Sequence, residues 1–452
     1  MGAHRILCSI LFFYILLLFL IVFAPDGTLQ AQFRIESEIE NYTASRTTEP
    51  GEWLAGRTRL RNSASYTRSQ FRVRTHFDLY AGYDQPLYSG FTLRELYADL
   101  YPGSFDIRAG RQKLVAGGLD GVTVADILSP SNLNELVFLN SDDIRVPLDA
   151  LSATYYFGGN SLNLVMALYR PTTLLPDSDS RWSPFTQTES QLELFQIQSP
   201  DGSFSDDLVY SLKYQARGPR ADYSFSLLHW VYPVPAIGLE LEAANLENPV
   251  LFLFETLESS PMATATVSAQ ITPSVRAVAE VLYAHRRLFT FLPFDAELLE
   301  QAESDPFAAL RLISLFEARE DRYLASSPWW SAGTGLRFEF SGNTAEIQFA
   351  ADLITNHTPE LVQEKFFSYS TLLLTRSFID ERLRMTSFNR YNVNGNDFWS
   401  QLHFLYEATD TLELSGGLSL FGGREPDPLY GHLSFSPFRS NSFFYTRIRY
   451  FL

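Results

Sequence analysis

Cysteine is almost missing: the 452 residues hold one, Cys8, inside the N-terminal apolar run. A single thiol makes neither an intramolecular disulfide framework nor a Cys-based zinc site. Lysine is nearly as scarce, since Lys113, Lys213 and Lys365 are the three lysines among 35 basic residues and the other 32 are arginine. Positive charge is in deficit too. The 52 Asp+Glu leave a formal charge of −17, without the cationic excess that nucleic acid requires. Beyond residue 31 there is no uninterrupted apolar run long enough to cross a bilayer as a helix, which excludes a helical membrane protein. What is abundant is aromatic: 37 Phe and 23 Tyr in a chain that is 46% apolar, far from the composition of intrinsic disorder.

His4 and Arg5 give a basic start, Ile6 to Phe23 run apolar without a charge, and Leu29-Gln30-Ala31 offers a cut before Gln32. That is the layout of a secretory signal. Leu29 is larger than the preferred small residue, and the apolar run also has the length of an uncleaved anchor. Cys8 stands at the start of the apolar core rather than its end, the wrong place for lipoprotein acylation. Residues 1–31 are expected to be a signal peptide, and 32–452 a single domain.

After Gln32 the dominant period is two. Phe71-Arg72-Val73-Arg74-Thr75-His76-Phe77, Ser211-Leu212-Lys213-Tyr214-Gln215 and Gly335-Leu336-Arg337-Phe338-Glu339-Phe340 all alternate. Such alternation gives a strand one apolar and one polar face. Short turns are expected at Pro102-Gly103-Ser104, Gly158-Gly159-Asn160, Gly218-Pro219-Arg220, Thr272-Pro273-Ser274 and Ser341-Gly342-Asn343, each carrying breaker residues. Less marked ones fall near Arg68-Ser69, Phe378 to Glu381 and Thr409-Asp410. Longer connections are expected near 46–53, 83–91, 115–148, 171–206, 233–260, 289–328, 357–364, 392–396 and 423–440. Eight short turns alternating with nine long loops require eighteen strands, with sixteen as the lower bound. The reading is an all-β, antiparallel transmembrane β-barrel. The even count puts both chain ends on the short-turn side, the periplasm, and the long loops outside the cell. Tyr430 to Phe438 is assigned to the last loop, because a nineteenth strand would leave the C-terminus outside.

Charges cannot face lipid at mid-depth without a cost of about 2–4 kcal/mol for each arginine. Arg34, Glu36, Glu38 and Glu40 of the first strand are therefore expected in the lumen, as are Arg57, Arg59 and Arg61 of the second. The same holds for Arg72, Arg74 and His76 of the third strand and for Arg447 and Arg449 of the last. Closing the barrel sets Glu36, Glu38 and Glu40 between Arg447/Arg449 and Arg57/Arg59/Arg61, an ion ladder along the seam. The plainer alternative is a set of separately solvated lumen charges.

The chain ends Phe444, Thr446, Ile448, Tyr450, Leu452 at every second position. This resembles the C-terminal strand of Gram-negative outer-membrane proteins, which the barrel-assembly machinery reads, although that family most often ends in Phe. The resemblance implies a porin-like barrel in the bacterial outer membrane, with outer-membrane lipids and that machinery as partners. The run Gly110-Arg111-Gln112 through Asp142-Asp143-Ile144-Arg145-Val146-Pro147 also resembles a poorly characterised group of porin-like barrels associated with exporters of lipids or hydrophobic molecules. That likeness covers about forty residues and implies a transport role beside an inner-membrane exporter.

The loop 115–148 carries apolar groups that a water-exposed tip would waste, so it is expected to fold into the lumen as a constriction, as general porins do. Asp120, Asp126, Asp142, Asp143 and Arg145 would then bring mixed charge to the narrowest zone. Clustered carboxylates also suit calcium, but EF-hand spacing is missing and Asp beside Gly or Pro commonly makes turns. Two further loops read as helical: Phe294 to Glu320, and the short apolar Pro249 to Glu258. They are expected to pack over the mouth, or to form an apolar entrance.

Catalysis is not expected. His76, His229, His285, His357, His403 and His432 fall in no nucleophile elbow and no paired-His spacing. Neither a cofactor nor a resident metal is implied, and strands begin too soon after Gln32 for a separate plug domain. Two functions remain: a channel for small solutes or hydrophobic molecules, or a non-conducting outer-membrane partner of a lipid or hydrophobe export system.

Overall fold

Eighteen strands, each antiparallel to its neighbours, form the barrel wall. In chain order they begin with β1 (Gln32–Arg46), β2 (Trp53–Arg68), β3 (Phe71–Gly82), β4 (Gly90–Leu100), β5 (Phe105–Gln112) and β6 (Leu148–Phe157). Then follow β7 (Asn160–Ala167), β8 (Val209–Arg217), β9 (Ala221–Val231), β10 (Ser259–Thr272), β11 (Val275–Thr290) and β12 (Leu324–Phe340). The last six are β13 (Asn343–Ile354), β14 (Phe366–Phe378), β15 (Leu383–Asn392), β16 (Asp397–Thr409), β17 (Leu412–Gly423) and β18 (Phe443–Phe451). The computed structural model describes residues 32–48, 52–83, 89–135, 141–176, 180–183, 197–198, 208–242, 250–292, scattered positions from 298 to 315, 323–424 and 434–452. Residues 1–31, where a signal peptide is expected, lie outside the described residues.

β18 pairs with β1, with Glu40 opposite Arg449 and Tyr42 opposite Arg447, and so closes the wall. The eight short turns and nine longer connections fall where the breaker residues put them. Both ends of the barrel domain lie on the short-turn side. Between β6 and β7, Gly158 and Gly159 take φ of 53° and 84°, the doubly left-handed conformation of a two-residue hairpin.

Burial alternates along the strands. On β12, Ser327, Trp329 and Ser331 are buried while Trp330 and Leu336 are exposed on the outside. On β13, Glu346, Gln348 and Ala350 point inward and Ile347 and Phe349 outward. The outer belt is apolar and carries aromatic rings at both rims. At the short-turn rim Phe105, Tyr155, Phe157 and Tyr214 run ring to ring at 4.7, 5.5 and 6.4 Å. At the other rim Tyr283 and Trp330 lie 4.6 Å apart. Two bulges break the alternation. On β4, His76 faces Glu95 and Phe77 faces Leu93, so Arg94 is the extra residue and can turn into the lumen beside Glu95. On β11 the register slips between Ala284 and Arg287, which moves the inward position from 286 to 287.

One connection differs from its helical reading. Val250–Thr256 is a strand, antiparallel to Ala236–Glu242, with Ile197–Gln198 added in parallel. A Val-Leu-Phe-Leu-Phe run is rich in strand-favouring residues, and that preference wins once a partner strand is present. In the other connection, Leu298, Gln301, Phe307, Ala308, Arg311, Ser314 and Leu315 are helical. The stretch assigned to the last loop holds a short 3-10 helix, Ser436–Asn441, and its residues 430–433 lie outside the described residues.

Candidate functional site: the barrel lumen

The inner wall around the seam is a lattice of guanidinium and carboxylate groups. Glu40, buried, meets Arg59 at 2.9 Å, Arg447 at 3.3 Å and Arg449 at 3.6 Å. Glu38 lies 3.7 Å from Arg61 and 3.9 Å from Arg449, and Arg449 also reaches Glu413 at 3.1 Å. Next along the wall, Asp78 accepts from Arg61 Nε at 2.8 Å and has Arg94 at 3.5 Å. Asp99 accepts from Arg72 and Arg108, both at 2.6 Å, and from the Tyr101 hydroxyl at 3.0 Å. Burial and the adjoining Asp99 push the Tyr101 phenol, in the β4–β5 turn, up to about 12. His76 sits between Asp78 at 4.0 Å and Glu95 at 3.9 Å.

Two sequence-stated pairings fall elsewhere. Glu36 faces Ser63 across β2, and its ion pair is with Arg34 on its own strand. The β1 strand runs past the end of β18, so Glu36 has no β18 residue opposite it. Arg57 turns to Glu135 of the β5–β6 connection at 2.6 Å, because Tyr42 rather than a carboxylate stands opposite it on β1. Arg74 lines a recess at the short-turn end with Arg34, Glu36, Ser63, Ser65 and Arg72.

The β5–β6 connection, residues 113–147, touches both sides of the lumen. On the seam side Asp143, in a single helical turn (Ser141–Ile144), lies 2.6 Å from Arg61 and 3.5 Å from both Arg59 and Arg94. Burial by itself would raise this carboxyl's pKa; the three guanidiniums outweigh it and hold the group well below the usual carboxylate range. On the far side Glu280 of β11 accepts from the backbone N–H of Gly118 at 2.5 Å and of Ala125 at 3.0 Å. Gly121 N–H donates to Gln348 at 2.8 Å, and Lys213 donates to the Ala116 carbonyl at 3.0 Å. Leu119, Val122, Val124 and Ile127 are buried in one apolar cluster with Leu282, Trp329 and Ala350. A Cβ added at Gly333 would come 2.8 Å from Val124, and one at Gly335 2.9 Å from Leu119, so bare backbone on β12 is what lets the loop approach.

The remaining loop charges divide. Asp126 pairs with Arg145 inside the loop and also accepts from Ala116 N–H at 2.9 Å. Asp120 is largely exposed, with Arg337 at 3.8 Å. For Asp142 the structure describes the backbone, in the helical turn, and not the side chain. Sequence reading did not single out Asp78, Asp99, Glu135 or Glu280. Asp78 continues the period-two stripe from Arg72 through His76 and was open to that rule; Glu135 and Glu280 carry no such signal.

Above the loop, toward the long-loop end, the far wall holds two arginines on aromatic rings. Arg287 lies 3.7 Å from the Tyr232 ring centre, 4.4 Å from Trp329 and 5.0 Å from Phe289. Arg390 lies 4.0 Å from Tyr369 and 5.5 Å from Phe435. Both guanidiniums act on the same two groups, Asp352 and the Tyr232 hydroxyl, so they share one region. Burial raises the Tyr232 phenol above its ordinary value. Across the mouth, Trp182 of the β7–β8 connection packs against Phe421, Phe438 and Phe443 at 5.8, 5.9 and 6.4 Å. Asn441 donates to the Arg181 carbonyl at 2.6 Å beside it.

Among solved structures the chain is similar to OccK8 (OprE) of Pseudomonas aeruginosa, at 9% identity over 93% of this chain and 98% of that one, with a TM-score of 0.51. A BenF-like porin from Pseudomonas fluorescens Pf-5 is similar over 94% and 99%, at 9% identity and a TM-score of 0.51. OccK3 (OpdO) of Pseudomonas aeruginosa matches over 93% and 96%, at 8% identity and 0.51. The likeness is one of fold: a closed eighteen-strand barrel of the porin type. No family model and no curated protein matches the sequence, and the narrower resemblance to exporter-associated barrels gains no support from these structures.

Proposed function

We propose that this chain is a porin-like channel of the bacterial outer membrane, passing small solutes or hydrophobic molecules. One observation carries the reading: a closed, even-stranded barrel has charge on its inner face and an apolar belt with aromatic rims on its outer face. Only closed barrels and helices satisfy every backbone group within lipid, and the apolar belt has no other solvent to suit it. Residues 113–147 are the constriction, with the seam arginines, Asp143 and Glu280 fixing its position. The test is the current through purified full-length protein in a planar bilayer. Discrete, stable steps are expected. No steps at any voltage, with conductance appearing on deletion of residues 117–145, would instead mark a plugged barrel and overturn the open channel.

A further inference from the structure

We infer that the outer wall carries two polar faces through which three copies of this chain close into a ring. One face spans β18, β1 and β2, and the other spans β15 and β16. The ring does not depend on whether the pore conducts.

Outward positions of a transmembrane strand meet hydrocarbon, which offers a polar group no hydrogen bond. From β7 to β9 the outside obeys this rule: Leu162, Leu164, Leu212, Tyr214, Phe225 and Leu227 are exposed there. Around β1 it does not. Asn41 and Thr43 alternate with the inward Glu40, Tyr42 and Ala44. Thr58 alternates with Arg57 and Arg59, and Thr446 with Tyr445 and Arg447. Asn41 donates to the Thr58 hydroxyl at 3.1 Å and to that of Tyr83 at 3.4 Å. The Thr43 and Thr446 hydroxyls lie 2.8 Å apart. On β15 and β16, Asn389 and Ser400 likewise alternate with the inward Arg390 and Gln401. Asn389 donates to Ser387 at 3.1 Å and accepts from Ser400 at 2.6 Å.

Both faces lie inside the apolar belt and at nearly one depth. Thr446 is the first outward position below Phe444, Asn389 the first below Tyr391 and Ser400 the first below Phe398, three exposed rings at the long-loop rim. Thr43 stands opposite Thr446, and Asn41 is one outward step deeper. Around the wall, β1 and the β15–β16 pair are about three and a half strands apart out of eighteen, or about 70°. Contacts set about 60° apart close a ring of three, and contacts about 90° apart close a ring of four. The spare hydrogen-bonding groups are complementary. Asn41 uses both of its N–H groups, and among the described residues no donor reaches its carbonyl oxygen. Asn389 gives one N–H to Ser387 and keeps the other. An acceptor on one face and a donor on the other favour the meeting of unlike faces, the head-to-tail contact that generates rings. Such contact gives these groups the partners that lipid withholds.

Two measurements test the ring: the mass of purified full-length protein in a neutral detergent, by light scattering, and disulfide trapping in isolated outer membranes. Three protomers per particle are expected. In a Cys8→Ala background, Asn41→Cys and Asn389→Cys in one chain should give linked species on mild oxidation that end at three chains. Either cysteine alone should trap none. Asn41→Leu with Asn389→Leu should cut the trimer's share at fixed protein concentration by about tenfold or more, with the heat-modifiable band of a folded barrel retained. Leu164→Ala, on the β7–β9 side, should leave the trimer intact. Any other copy number, pairing through Asn41→Cys alone, or a different protein held at these faces would overturn the ring. Should the leucine pair fail to fold, the trapping pattern decides, and linked species that stop at two chains or run past three would refute the inference.

Discussion

On the seam side of the lumen, from β18 through β1 to β5, arginine and carboxylate contact one another from strand to strand. On the far side, β8 to β15, the wall presents small and apolar groups to the loop, with isolated polar groups such as Glu280 and Gln348. The same loop docks on both. Against the seam it contributes charge, through Asp143 and Glu135; against the far wall it contributes Leu119, Val124 and backbone N–H groups. Two different kinds of force therefore hold one element. A buried ionic lattice fails sharply when one member is removed, since its partners are left unpaired. An apolar contact relaxes more gradually as volume changes.

The largest effect is expected from reversing charge at the seam. Arg447→Glu with Arg449→Glu would surround Glu40 and Glu38 with like charge on the strand that closes the barrel. Loss of the heat-modifiable folded band on a gel is the expected outcome, and normal mobility would show that the ladder is dispensable. Next comes the clamp at Asp143. Asp143→Asn removes one of the two carboxylates that Arg59, Arg61 and Arg94 share, leaving Asp78 between them, and should destabilise the barrel by about 3–5 kcal/mol in urea unfolding. The pH dependence has a definite sign. A carboxyl with a depressed folded pKa contributes stability above its unfolded value near 4, lost as pH falls through the folded value. Acidification from about pH 5 to about pH 2 should thus erode the wild type more than Asp143→Asn. Parallel curves for the two proteins would remove Asp143 from the clamp.

The barrel and the charged stripes of its closing strands were legible because period-two alternation and breaker residues are local signals. Gly158-Gly159 and Ser341-Gly342 announced their turns through residues suited to positive φ. The turn after Phe378 was faint because Ile379, Asp380 and Glu381 adopt φ of 53°, 50° and 68° without a glycine. That Glu38 and Glu40 lie between arginines of the second and last strands followed from alternation plus closure, but the register that leaves Glu36 beyond the end of β18 did not. The rule fails wherever a bulge shifts the count. Arg94 and Arg287 both face inward out of phase with their strands, so neither was singled out. Nor does alternation say where a loop docks: Glu280 lies 162 positions from Gly118, and only the folded wall brings them together.

On the far wall a smaller effect is expected. Gly335→Ala sets a methyl 2.9 Å from Leu119 and 3.0 Å from Gln348, so the loop must shift or strain. Overpacking of this kind costs about 1–3 kcal/mol. The same urea titration should show that loss, well short of the one at Asp143, together with an altered single-channel conductance. A change in stability with unchanged conductance would mean that Leu119 does not bear on the passage.

The smallest effect tests the seam argument from its own edge. Arg34 and Glu36 pair on one strand at the short-turn end, with side chains 70% and 53% exposed. Both belong to the same alternating stripe as Glu38 and Glu40, and by sequence nothing separates them. Burial does. A solvated pair gains little because water and salt screen it, and such pairs contribute between nothing and about 1 kcal/mol. Arg34→Gln should therefore leave the urea midpoint and the folded gel band almost unchanged, at low and at high salt. If it proved as damaging as the loss of Asp143, the strength of the ladder would lie in the number of charges along the wall. The difference between buried and exposed members would then no longer set the order of these effects.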